Sequence, residues 1–192
     1  NSRCGAYGDA AVAAMSIVSR IVFFTFSIAL GVGQGFQPVS AYNYGARKYS
    51  RIREGYRFTA ILAEGIIIVG VTILIVFASP LIRLMRDDPE VIVIGTRALR
   101  LQALSNLFLP PCMVTEMLYQ STGHRAGATM LSALRSGLLF IPSLLILSSV
   151  RGLAGIQEAQ PLSVVLSFPF TVMFAVLFFR KLPKVDGEKI SS

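Results

Sequence analysis

The residues of this 192-residue chain that could do chemistry are few, and their spacing narrows what the chemistry can be. Gln102, Asn106, Leu109, Met113, Glu116 and Gln120 recur every three or four positions, which places them on one stripe of a helix. Amides, a thioether and a carboxylate on one stripe are equipped to bind and orient through hydrogen bonds and charge. They lack a nucleophile with its base. Pro110 and Pro111 interrupt the same stripe. Two consecutive prolines remove two backbone donors, so the helix is expected to kink or unwind there. A second polar stripe runs through Arg20, Ser27, Gly31, Gln34 and Pro38, and further polar positions follow at Ser132, Arg135, Ser136 and Ser143, then at Gln160, Ser163, Ser167 and Thr171.

Other chemistries find little support. One histidine and two cysteines, Cys4 and Cys112, fit no metal-ligand spacing. Cys112 lies in an apolar run and reads as a small packing residue. No HExxH, GxSxG or Walker pattern occurs. The glycine run Gly31-Val-Gly-Gln-Gly35 follows no strand and sits within apolar sequence, so it does not read as a phosphate loop. The chain is therefore not expected to be an enzyme, and no cofactor or metal is expected. Asp87 and Asp88 are explained by turn chemistry.

The elements that must position these groups are set by composition. Hydrophobic residues make up 54% of the chain and charged residues 15%, against about 25% charged in a soluble domain. A water-soluble globular domain and a disordered chain are both excluded. The net charge of +8 does not point to nucleic acid, because the basic residues sit in short clusters between long apolar runs. A membrane-crossing helix needs about 20 apolar residues. Five spans are expected, at about 11–41, 59–84, 91–119, 127–150 and 159–179, with a basic loop at 42–58. The second span, almost wholly Ile, Val, Leu and Phe after Glu64, is expected at the periphery, facing lipid.

Ten basic residues, among them Arg47, Lys48, Arg51, Arg125, Arg180 and Lys181, fall on one side of such a bundle, and six, including Arg83, Arg86 and Arg97, on the other. The positive-inside rule puts the first side, with the C-terminus, in the cytoplasm of a cell membrane. Polar groups at membrane depth are costly and so carry information. Arg135 either snorkels or meets an internal partner. Glu116 lies either at the mouth of a hydrated cavity or at the interface.

The run Gly31-Val-Gly-Gln-Gly-Phe-Gln-Pro-Val-Ser-Ala-Tyr-Asn-Tyr-Gly-Ala46, followed by Arg47, Lys48 and Arg51, resembles the multidrug and toxic compound extrusion (MATE) family. Tyr119-Gln-Ser-Thr-Gly123, and Leu134-Arg135 followed by Ile141-Pro142, fit later helices of the same family. The resemblance implies an all-α integral membrane fold of twelve helices in two six-helix lobes. This chain, read as a single membrane domain over residues 1–192 and as a fragment, would be helices eight to twelve, most of the C-terminal lobe. It also implies a secondary antiporter that exports organic cations and drugs in exchange for protons or sodium ions by alternating access. Some members carry a coupling aspartate mid-way along the tenth helix. Here that region reads Leu109-Pro110-Pro111. Gln34, Gln37, Asn106, Met113 and Glu116 are the residues expected to face the substrate cavity. Expected partners are membrane lipid, small amphipathic cations and the other lobe of the same chain, with no nucleic acid. The alternatives are a flippase for lipid-linked oligosaccharide or polysaccharide, and a structural membrane subunit or membrane-embedded enzyme.

Overall fold

The computed structural model describes residues 9–183 and 185–188, with the side chains at 151, 153, 154, 156 and 157 outside the description. Cys4 lies outside the described residues. The architecture is all-helical. Helix α1 (Asp9–Gly45) and α2 (Tyr49–Val76) are long single rods. A bend at Phe77 leads into the short α3 (Ala78–Met85). Helix α4 (Pro89–Ser105), a 3₁₀ turn (Asn106–Phe108) and α5 (Leu109–Ser121) form a broken third rod. Helix α6 (Arg125–Ala133), a π turn (Leu134–Leu138) and α7 (Phe140–Arg151) form the fourth, and α8 (Leu153–Lys181) the last. Among the described residues, four helices are long and apolar enough to cross a membrane: Asp9–Gly45, Tyr49–Val76, Arg125–Val150 and Glu158–Lys181. The third rod is not in that set: besides its break into pieces of 17 and 13 residues, it carries Arg97, Arg100, Gln102, Asn106, Glu116 and Gln120 along its length.

Local sequence explains the ends. Asp88 caps α4 by accepting from the Glu90 N–H at 3.1 Å, with Pro89 at the first helical position. Helix α1 closes with the Lys48 N–H on the Asn43 carbonyl at 2.8 Å and the Arg47 N–H on the Tyr44 carbonyl at 3.2 Å. This is a Schellman cap whose left-handed residue is Arg47, at φ 55°. The connection is shorter than the expected loop at 42–58. Arg51, Arg53, Glu54 and Arg57 lie within α2, because long charged side chains are good helix formers once the rod has left the hydrocarbon.

Three apolar clusters stack along the bundle. Val18, Val22, Ile82, Val91 and Leu99 pack at one end. Ala29, Ile67, Val71, Leu109 and Met113 fill the middle. Phe36, Tyr49, Ile52, Leu118, Tyr119 and Phe178 close the other end. Between apolar rods in lipid, close packing replaces the hydrophobic drive. Gly33 shows this: a Cβ there would meet Met117 Cγ at 3.2 Å, so α1 and α5 touch where α1 carries no side chain. The outer face of α2 is apolar and exposed, with Phe58, Ile61, Val69 and Val76 all uncovered by the rest of the described bundle.

The C-terminal segment returns to the first connection. The Gly187 N–H donates to the Arg47 carbonyl at 2.9 Å. The Ser50 N–H and hydroxyl both donate to the Asp186 carboxylate. Tyr49 donates to the Glu188 carbonyl at 2.9 Å, and Arg53 to the Leu182 and Pro183 carbonyls. The end of α8 and the α1–α2 connection therefore share one end of the bundle.

Candidate functional site

The break in the third rod is where the site begins. Pro110 and Pro111 cannot donate to the carbonyls one turn back, and the preceding residues tighten into the 3₁₀ turn at Asn106–Phe108. This turn places Asn106 beside Gln102, and both are buried, at 5% and 3% exposure. A cavity of about 360 Å³ opens against them. Its walls come from α1 (Ser19, Val22, Phe23, Phe26), the broken rod (Gln102, Asn106, Leu109), the π turn (Arg135) and α8 (Gln160, Val164).

Across the cavity the Gln102 Nε2 donates to Gln160 Oε1 at 3.2 Å. Two polar atoms of this wall, Gln102 Oε1 and Asn106 Nδ2, have no partner. Such orphaned buried groups are uncommon and call for an explanation.

Arg135 sits on the π turn, where the Leu139 N–H reaches the Leu134 carbonyl five residues back at 3.0 Å. The guanidinium does not snorkel. It lies 5.6 Å from the centre of the Phe26 ring, a cation–π distance. Its Nη2 donates to Glu116 Oε2 at 3.4 Å. Glu116 is the charged residue that is buried among the described residues. Its other oxygen accepts from Gln120 Nε2 at 3.3 Å, and Gln120 Oε1 accepts from Gln37 Nε2 at 2.9 Å. A polar ladder thus runs from the cavity wall at Arg135, through Glu116 and Gln120 on α5, to Gln37 on α1. Low dielectric strengthens each rung and penalises its loss.

The residues singled out in the sequence fall in different places. Asn106 lines the cavity. Glu116 and Gln37 lie on the ladder, and Gln37 also approaches Met117 Sδ at 2.8 Å. Gln34 is exposed on α1, away from the cavity walls. Met113 is 1% exposed and packs with Ala29, Ile67 and Leu109. The 3₁₀ turn rotates α5 relative to α4, so one ideal helical stripe divides between the cavity and the core. Ser19, Phe23 and Phe26 are wall residues that the sequence does not single out, although Phe23 and Phe26 share the spacing of one helical face. Cys112 is a buried free thiol that accepts from the Thr171 hydroxyl at 3.3 Å. No group of three metal-ligating side chains occurs among the described residues.

Comparison with known proteins places this geometry. The family described as MatE matches residues 1–146. The multidrug export protein MepA of Staphylococcus haemolyticus (strain JCSC1435) is 29% identical over 184 residues, which are 96% of this chain and 40% of that protein. MepA of Staphylococcus aureus (strain MSSA476) is 30% identical over 152 residues, 78% of this chain and 33% of that protein. The chain therefore spans well under half the length of these relatives. Among solved structures, the MATE multidrug transporter DinF-BH, solved as a ligand complex, is 36% identical with a TM-score of 0.77, over 86% of this chain and 36% of that one. The bent form of the Vibrio cholerae MATE transporter VcmN has a TM-score of 0.85 at 24% identity, over 93% of this chain and 41% of that one, a likeness of fold.

Proposed function

The chain belongs to the MatE family, and from that premise we propose that it is one lobe, the C-terminal one, of a secondary antiporter that exports drugs and other organic cations. The observation that carries this reading is the likeness to MepA multidrug export proteins over 96% of the chain. Compatible parts are a helix broken midway along its length, a cavity beside the break and a polar ladder leading from it. Broken helices of this kind line binding sites in many transporters, where irregular backbone is tolerated because it faces a cavity.

In this mechanism the lobe and its counterpart elsewhere in the full-length protein rock about a shared cavity, exposing it to each side in turn. Val22, Phe23, Phe26, Leu109 and Val164 give the apolar wall against which an amphipathic compound loses water. Export is driven by inward movement of protons or sodium ions. Among the described residues, Glu116 is the buried carboxylate available to such a cycle. Neutralising it releases Arg135, and the ladder between α5, the π turn and α1 is then free to rearrange.

The test is efflux of ethidium, a fluorescent organic cation, from cells that lack their own drug pumps and express the full-length protein. Energised cells are expected to clear the dye faster than controls, and collapse of the proton or sodium gradient is expected to stop it. Well-expressed full-length protein that clears no dye and no other organic cation would overturn the proposal.

A further inference from the structure

We propose that the groove between α2 and α8, at the end of the bundle where α1 connects to α2, binds an anionic phospholipid. The lipid phosphate lies between Arg53 and Arg180, and one acyl chain runs along the apolar wall of α8. The inference is independent of the export reading, since it needs a membrane and no transported substrate.

The groove holds about 580 Å³, and Arg53, Tyr56, Pro111, Val176, Phe179 and Arg180 are among its walls. Its chemistry changes along its length. The two arginines mark one end. Arg53 is fixed there, because its Nη2 donates to the Leu182 and Pro183 carbonyls at 3.0 and 2.9 Å. These bonds engage one nitrogen of a group with five N–H donors. Among the described residues, neither arginine forms an ion pair. The Asp186 carboxylate at this end is held first by the Ser50 hydroxyl, then by the Ser50 N–H, with Arg53 acting on it last and only through space. Away from the arginines the groove is apolar. Its remaining polar groups are spent within the protein: Tyr56 shares a hydrogen bond with the Thr115 hydroxyl at 2.8 Å, and Thr171 is engaged by Cys112 and by the Ser167 carbonyl. Val172 and Val176 stand exposed along the same wall.

Charge and length together select the occupant. Two guanidinium groups at the mouth of one groove recognise an anion, and their planar N–H pairs match phosphate oxygens. Basic grooves between membrane helices take anionic headgroups for this reason. A zwitterionic lipid would bring its own cation to the same two arginines. A free phosphate would leave the apolar length of the groove unfilled. From Thr171 to Arg180 α8 rises about 13 Å, close to the hydrocarbon depth of one leaflet, about 15 Å. The Tyr56 and Phe179 rings meet edge to face at 5.0 Å within one turn of the arginines. Aromatic rings in that position suit the boundary between headgroup and chain.

The measurement is native mass spectrometry of the full-length protein in detergent, titrated with dioleoyl phosphatidylglycerol or dioleoyl phosphatidylcholine. Phosphatidylglycerol is expected to bind about twentyfold more tightly, the effect of two arginines beside one phosphate. Arg180→Gln, at an exposed position, is expected to weaken phosphatidylglycerol about fivefold and to leave phosphatidylcholine unchanged. Arg53→Gln should do the same, although it also gives up the Leu182 and Pro183 carbonyls. Val176→Trp narrows the groove without touching a charge, so both lipids should weaken together. Arg51→Gln removes an exposed charge outside the groove and is expected to change affinity by no more than about twofold. Equal affinity for the two lipids, or binding of neither, would overturn the proposal. A loss in Arg51→Gln as large as in Arg180→Gln would replace the site by general surface attraction. Unchanged binding in Val176→Trp, or glycerophosphoglycerol binding as tightly as the whole lipid, would show that no acyl chain occupies the groove and would overturn the proposal as well.

Discussion

Arg135 on the π turn and Glu116 on α5 form an ion pair at 3.4 Å, with side-chain exposures of 15% and 9%. The pair bridges two rods in the protein interior, where each charge alone would be costly. It is also the rung that joins the cavity wall to the polar ladder ending at Gln37.

Removing one member strands the other. Glu116→Gln and Arg135→Gln are each expected to destabilise the full-length protein by about 3 kcal/mol. The double substitution is expected to cost clearly less than the sum, because no charge is left unpaired. A double-mutant cycle by thermal unfolding in detergent measures this. Strict additivity would show that the pair contributes nothing. Glu116→Gln is also expected to slow ethidium efflux per molecule of protein in the membrane, and wild-type efflux on that basis would remove Glu116 from the transport cycle.

The proline break separates stability from function. Pro110→Ala with Pro111→Ala restores two backbone donors to the carbonyls of Asn106 and Leu107, so the third rod can run on as an α-helix. Stability is expected to rise by about 1–2 kcal/mol. Asn106 then turns relative to α5, and transport is expected to fall. Thermal unfolding and efflux measured on the same variant should move in opposite directions. A variant that is more stable and fully active would show that the break has no role in transport.

Gly127 is held by contact. A Cβ there would collide with the Tyr119 ring at Cδ1 and Cε1. That ring cannot easily yield, because its hydroxyl donates to the Phe174 carbonyl at 2.8 Å and it packs against Phe174, Phe178 and His124. Gly127→Ala is expected to destabilise by about 2 kcal/mol. Gly65→Ala, where nothing lies within 4 Å, is expected to be neutral or slightly stabilising. Melting temperatures of the two variants make the comparison, and equal effects would refute it.

The C-terminal contact should depend on pH. The Ser50 hydroxyl, then the Ser50 N–H, hold the Asp186 carboxyl below the ordinary carboxylate range. Its folded pKa is depressed, so the contact is fully present above the ordinary carboxylate pKa and is lost as pH falls through the lower, folded value. Hydrogen exchange of the Ser50 and Gly187 amides is expected to show protection at neutral pH. Asp186→Asn is expected to weaken that protection there, leaving it nearly independent of pH. Equal protection in both proteins across the acid range would contradict it.

The sequence by itself determined the class of molecule, because apolar runs with few charges between them have one stable solvent. It also determined the break at Pro110 and Pro111, since a missing donor acts locally whatever surrounds it, and the apolar outer face of α2, which follows from its composition alone. The polar character of the third rod was legible for the same reason. Only the tertiary structure decided how that stripe is shared out. Asn106 went to the cavity and Met113 to the core because the 3₁₀ turn shifts the angular register between α4 and α5, and no ideal period carries that shift. The π turn that delivers Arg135 to Glu116 has no signature in Leu134–Leu138, because the extra residue per turn is stabilised by the partner it reaches. The hydrogen bond between Gln102 and Gln160, more than fifty residues apart, is likewise a meeting that only the assembled bundle makes.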